Sequence, residues 1–294
     1  MIRTYFKKNP HTVYIWPAII ILGGLSIVPS LFLWILSLTD YELGYTDFNF
    51  VGVENFTRLF TGGDNEFWFS LWISLFFMVI VTLIELLLGF WIATLLDRDF
   101  KLKFLVFSCL IVPIAMTPSI TGQIWKLMLN AEYGVINYFL QFFGGKVIWL
   151  STENAFLSTI LVDIWQNTPF MALIIYAGIR SLPTDPFEAA AIDGASKIQA
   201  FYHISLPLLW PVIILAVIFR AIDALKTFDI PFSLTQGGPG NATEFLSLHV
   251  FRLGFAQTGW VGRSAAVAII LLMLTTVISM LLIKVYRKGV ENKE

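Results

Sequence analysis

A few polar residues stand inside otherwise apolar stretches, and their types set the chemistry open to this chain. Arg220, Asp223, Lys226 and Asp229 alternate in sign at every third position, a spacing that puts neighbours on adjoining helical turns where they neutralise one another. Asp163, Trp165, Gln166 and Asn167 come just before Pro169. Such groups are costly at membrane depth unless they face a partner or water, so each is a functional candidate. Amides beside an indole suit a sugar, whose hydroxyls need donors and acceptors while its flatter C–H face stacks on a ring. Proline removes a backbone donor, which predicts a bend and a local opening beside this patch. Trp165, Gln166, Asn167, Lys226 and Asp229 are therefore the candidate substrate-path residues. Plainer readings stand beside this one: Arg220 with Asp223 as an internal ion-pair ladder, and Gln166 with Asn167 as ties between helices. Gln123 and Trp125, after Pro113 and Pro118, form a weaker set of the same kind, and Glu85 is expected to pair with a neighbouring helix rather than to meet substrate.

The elements that position these residues follow from composition. At 57% hydrophobic and 13% charged, with a mean hydropathy of +0.77, the chain is far more apolar than a soluble domain. A net charge of -1 argues against nucleic acid, which needs a concentrated basic surface. The single Cys109 lies in an apolar run and behaves as a small hydrophobe; no zinc-type Cys/His cluster accompanies it. Runs long enough to cross a hydrocarbon core of roughly 30 Å at about 1.5 Å per residue occur near 14–38, 67–95, 104–128, 156–181, 207–232 and 263–284. The expected fold is all-α and integral to the membrane, with six transmembrane helices. Arg3, Lys7 and Lys8 precede the first run, which lacks a signal-peptide cleavage pattern and is read as a retained anchor.

Basic residues orient the spans. Arg3, Lys7, Lys8, Arg98, Lys101, Lys103, Arg180, Lys197, Lys284, Arg287, Lys288 and Lys293 all fall on one side, whereas the opposite loops offer Arg58, Lys146 and Arg252. The positive-inside rule makes the first side cytoplasmic, with both termini inside. The expected organisation is a cytoplasmic segment 1–13, a transmembrane region 14–285 with a cytoplasmic loop at 182–206, and a cytoplasmic tail 286–294.

That loop carries the stretch EAAAIDGASKIQAFYHISLP, Glu188 to Pro207. Asp185, Pro186 and Glu188 read as a helix start with the aspartate capping and the glutamate reaching back. Phe187, Ala190, Ala191, Gly194, Ala195, Ile198 and Phe201 recur at helical spacing. This small, apolar face either seats in a partner's groove or rests on the chain's own helix ends. Glu188-Ala189-Ala190, Gly194 and Ile204-Ser205-Leu206-Pro207 resemble the signature of binding-protein-dependent ABC importer permeases. The resemblance implies a coupling helix that docks on a cytoplasmic ATPase through Glu188, Ala189, Ala190 and Gly194. The chain offers no phosphate-binding loop of its own, since Gly144-Gly145-Lys146-Val147 lacks the upstream glycine and the hydroxyl. No catalytic residue, cofactor or metal ligand is therefore expected.

Lys226-Thr227-Phe228-Asp229, Thr235, Gly237-Gly238-Pro239, Thr243 and Gly262 before Ser264-Ala265-Ala266 look like the carbohydrate-uptake branch of that family, similar to the maltose and glycerol-phosphate systems. His249-Val250-Phe251-Arg252 departs from the aromatic-rich spelling of that branch. The implied assembly is a heterodimer with a second permease subunit, two ABC ATPase subunits and an extracytoplasmic solute-binding protein, in a bacterial-type inner membrane. Rivals are a permease for a polyamine or an anion, and an integral-membrane enzyme using Asp163, Asp223 and Asp229. The enzyme reading needs clustered histidines or carboxylates, whereas His11, His203 and His249 are scattered.

Overall fold

The computed structural model describes residues 15–256 and 258–291. Arg3, Lys7, Lys8, His11 and Lys293, part of the orientation argument, lie outside the described residues. The chain divides into two compact units.

The first unit holds the described residues up to Asn65 together with Val250–Ile270. Helix α1 (Trp16–Ser37) is apolar along its whole length and nearly all of its side chains are exposed, as befits a span facing lipid. A short helix α2 (Glu54–Phe60) follows. Asn55 closes this corner by donating its amide to the carbonyls of Ser37 and Thr39, each at 2.8 Å. Hydrogen bonds from the backbone and side chain of Asn49 hold the Asp40 carboxyl below the ordinary carboxylate range.

The second unit comprises Glu66–His249 and the described residues from Leu271 onward. Its elements are α3 (Asn65–Asp97), α4 (Lys103–Ala115), α5 (Pro118–Met128), α6 (Val135–Gln141), α7 (Ala155–Arg180), α8 (Asp185–Ile192), α9 (Lys197–Ala200), α10 (Leu206–Leu225), α11 (Asp229–Leu234), α12 (Leu246–Phe251) and α13 (Val261–Glu291), the last beginning in the first unit. Phe77, Met78 and Val81 of α3, Ile160 of α7, Ala221, Ala224 and Leu225 of α10, and Phe245 form its core. At Gly89 the α3 backbone passes so close to α7 that an added Cβ would sit 2.7 Å from the Cβ of Met171. Only glycine permits that approach.

Among the described residues, five helices are long and apolar enough to cross a membrane, and α4 with α5 makes a sixth crossing if that bent pair counts as one span. The expected straight span at 104–128 is thus corrected: the chain turns through 102° between α4 and α5. Pro118 has no N–H to give the carbonyl of Ile114, so the helical ladder cannot run through this point. The span expected over 207–232 also breaks, because α10 ends at Leu225 and α11 starts at Asp229. In a continuous helix the carbonyl of Thr227 would need the N–H of residue 231, which is Pro231; the hydroxyl of Ser247 supplies the bond instead. By contrast, α7 runs on as one element through Pro169.

The loop after α11 is locked rather than loose. Thr235 Oγ1 and Thr243 Oγ1 lie 2.6 Å apart, and the Thr243 hydroxyl also donates to the Gly238 carbonyl at 3.1 Å. This explains two of the branch-like residues: the threonines clamp the Gly-Pro segment between them.

Candidate functional site

The expected four-residue ladder is corrected: Lys226 and Asp229 lie beyond the end of α10, and Arg220 and Asp223 pair within a cluster that reaches two other helices. Arg220, only 2% exposed, pairs through Nε and Nη2 with Glu85 of α3, which is fully buried, and through Nη2 with Asp163 of α7. Its Nη1 reaches Asp223 one turn along at 3.3 Å. Three helices therefore converge on one guanidinium. A planar fork with five donors can serve several carboxylates at once, which a lysine point charge cannot do in the same geometry. Breaking such a set would strand charge away from water. Glu85 is paired with a neighbouring helix as expected, although nothing in its local spacing identified Arg220, 135 positions away, as the partner.

Beside the cluster lies a cavity of about 390 Å³ lined by Ile114, Met116, Pro118, Gln166, Asn167, Phe170, Phe219, Arg220 and Asp223. The bend between α4 and α5 creates one wall. Gln166 donates Nε2 to the Met116 carbonyl at that bend, at 3.0 Å, which leaves its Oε1 buried with no hydrogen-bond partner. Asn167 donates to the Asp163 carbonyl at 3.2 Å. Asp223 is 74% exposed at its side chain, so it carries a free carboxylate face while touching Arg220.

Of the expected path residues, Gln166 and Asn167 line this cavity, whereas Trp165, Lys226 and Asp229 are not in its lining. Trp165 makes an edge-to-face contact with Trp125, ring centroids 5.5 Å apart. Lys226 caps the end of α10 and is exposed. Asp229 opens α11 and accepts from Ser119 at 2.9 Å, tying α11 to α5. Conversely, Arg220 and Asp223, read from sequence as much as an internal ion pair as a ligand contact, pair with each other and line the cavity.

The polar loop forms a helix with no buried residue, α8. Glu188 and Ala189 are exposed and Ala190 is half-buried. The expected aspartate cap is corrected: Thr184 is the N-cap, Asp185 is already helical, and no side chain caps the helix. The helix is also shorter than its periodicity implied. Gly194 takes φ +73°, a left-handed value that ends the helix and costs glycine less than nearly any other residue. Ser196 then starts α9 with a capping box closed by Gln199, followed by a π-helical turn at Phe201–Ser205. Ile198 and Phe201 therefore do not extend the α8 face. The S-x-x-Q pattern at 196–199 was the sequence signal for this second start.

Beneath α8 lies a cavity of about 660 Å³ lined by Asp97, Ile179, Arg180, Leu182, Pro183, Thr184, Phe187, Glu188, Ala191 and Ser205. Arg180 and Asp97 pair across it at 3.6 Å.

Apolar spans beside a cavity lined by both polar and apolar side chains fit a membrane transport subunit. The profile of the family described as "Binding-protein-dependent transport system inner membrane component" matches residues 85–292. The trehalose/maltose transport system permease MalF of Thermococcus litoralis is 38% identical over 240 residues, covering 81% of this chain and 80% of that protein. The sulfoquinovosyl glycerol transport system permease SmoG of Agrobacterium fabrum is 37% identical over 239 residues, covering 80% and 77%. A solved bacterial ABC transporter that imports the acidic polysaccharide alginate contains a chain of the same fold, with a TM-score of 0.81, 19% identity and 98% of each chain covered. This chain belongs to the family of binding-protein-dependent transport system inner membrane components, and it is a permease subunit of the ABC importer type.

Proposed function

We propose that this permease carries a carbohydrate inward, received from an extracytoplasmic solute-binding protein, and that it works as one half of a heterodimer with a second permease subunit. Two cytoplasmic ATPases supply the energy. The observation that carries the reading is α8, an unburied helix bearing Glu188, Ala189 and Ala190 and ended by Gly194, beneath which its own chain leaves a cavity open. Its small side chains suit close approach by a partner's groove.

The carbohydrate reading is supported by two relatives named for sugar-containing substrates and by the amides Gln166 and Asn167 in the cavity wall. Arg98, Lys101, Lys103, Arg180, Lys197, Lys284, Arg287 and Lys288 share the side of α8 in the expected topology, so that side is cytoplasmic and the loop containing Lys146 faces outward. ATP-driven closure of the ATPases would draw α8 and its counterpart together. The adjoining α7 and α10 would then swing, and the cavity they share would open outward; hydrolysis resets it.

Purification of the tagged chain from native membranes tests this assembly. The expected isolate contains a second permease and two ATPase copies, with ATP hydrolysis stimulated by a carbohydrate-loaded binding protein. A chain isolated without ATPase, or a complex stimulated only by polyamines or non-sugar anions, would overturn the proposal.

A further inference from the structure

Whether the cavity accepts a neutral or an anionic sugar is written in how its charges are paired. Arg220 is the only cation in the lining, and carboxylates occupy all three of its nitrogens: Glu85 at Nε and Nη2, Asp163 at Nη2, and Asp223 at Nη1. One guanidinium thus faces three carboxylates. Two of those are buried with it, at 0% and 2% exposure, while the third, Asp223, is 74% exposed at its side chain and lines the cavity. A sulfonate, phosphate or carboxylate entering here would find the guanidinium already engaged and a bare carboxylate beside it.

The uncharged polar lining suits hydroxyl groups. Gln166 gives one amide N–H to the Met116 carbonyl and Asn167 gives one to the Asp163 carbonyl, and each amide has a second N–H beside its carbonyl oxygen. Hydroxyl groups both donate and accept and so pair with either end of such an amide, whereas fully ionised acid groups can only accept.

We propose that this cavity is a site for a neutral, hydroxyl-rich sugar and excludes acidic ones, with Asp223 as the discriminating charge and the amides of Gln166 and Asn167 as partners for hydroxyl groups. The inference rests on the carbohydrate reading above. It separates this chain from its fold neighbour in the importer of an acidic polysaccharide and from the relative named for a sulfoquinovosyl compound.

The test is equilibrium binding to the assembled complex in nanodiscs, without the binding protein, so that selection by that protein does not enter. Saturation-transfer NMR compares neutral probes (trehalose, maltose, raffinose and xylobiose) with anionic ones (trehalose 6-phosphate, sulfoquinovosyl glycerol and an alginate trisaccharide). At least one neutral probe is expected to bind with a preference of about tenfold or more over every anionic probe. Asp223→Asn should shrink that preference several-fold, read as a ratio so that a general loss of affinity cancels. Gln166→Leu should weaken neutral binding while the preference persists. An anionic probe that binds as well as the neutral ones, or a preference unchanged in Asp223→Asn, would overturn the proposal. Binding of no sugar of either class would bring down the carbohydrate reading itself, and the proposal with it.

Discussion

Arg220 is the residue on which the second unit's polar interior depends. It joins α10 to Glu85 on α3 and Asp163 on α7, so its removal leaves two buried carboxylates without a counter-charge. Arg220→Met should destabilise the subunit by about 3–5 kcal/mol, the usual cost of breaking a buried ion pair from one side. Thermal denaturation of the detergent-solubilised complex reads this out; a melting temperature equal to wild type would show the cluster to be dispensable. Glu85→Gln keeps the shape and one acceptor and should cost clearly less. Much of this site was legible beforehand. Polar residues in an apolar context mark themselves, and Asp163, Gln166, Asn167, Arg220 and Asp223 all stood out. What stayed hidden was pairing across sequence distance: periodicity reports which residues share a face of one helix, not which helix that face meets.

At the scale of elements, hydropathy counted crossings better than it traced the chain. It measures transfer into hydrocarbon and is blind to direction, so the 102° turn between α4 and α5 and the break between Leu225 and Asp229 both read as straight spans. Pro118 and Pro231 were the available signals, since each deprives the carbonyl four residues earlier of its donor. Pro169 shows why proline alone does not decide, because α7 continues past it. In the polar loop, Gly194 with its positive φ and the Ser196 capping box divided what periodicity had joined. The loops also carry the orientation argument. With impermeant amine reagents applied to intact cells, Lys146 should label while Lys197 and Lys288 remain protected until the membrane is breached. Labelling of Lys197 from outside would invert the whole arrangement.

For the molecule as a whole, the proposed function divides two tasks between regions: the cavity beside α7 and α10 would hold substrate, and the unburied α8 would receive force from a partner. They are connected through continuous backbone, since α7 leads into the loop that begins α8 and α10 leaves it. The proposed task of this loop is to convert ATP hydrolysis into movement of the spans. Gly194 offers the most direct handle. An added Cβ there meets no atom of this chain within 4 Å, so a large side chain disturbs chiefly whatever docks outside it, apart from about 1–2 kcal/mol of left-handed backbone strain. Gly194→Asn, a residue that tolerates this backbone, controls for the strain. The measurement is binding-protein-stimulated ATP hydrolysis in proteoliposomes at matched amounts of assembled complex. Gly194→Trp should lose about tenfold or more of the stimulated rate while Gly194→Asn stays near wild type; full stimulation in Gly194→Trp would contradict the account.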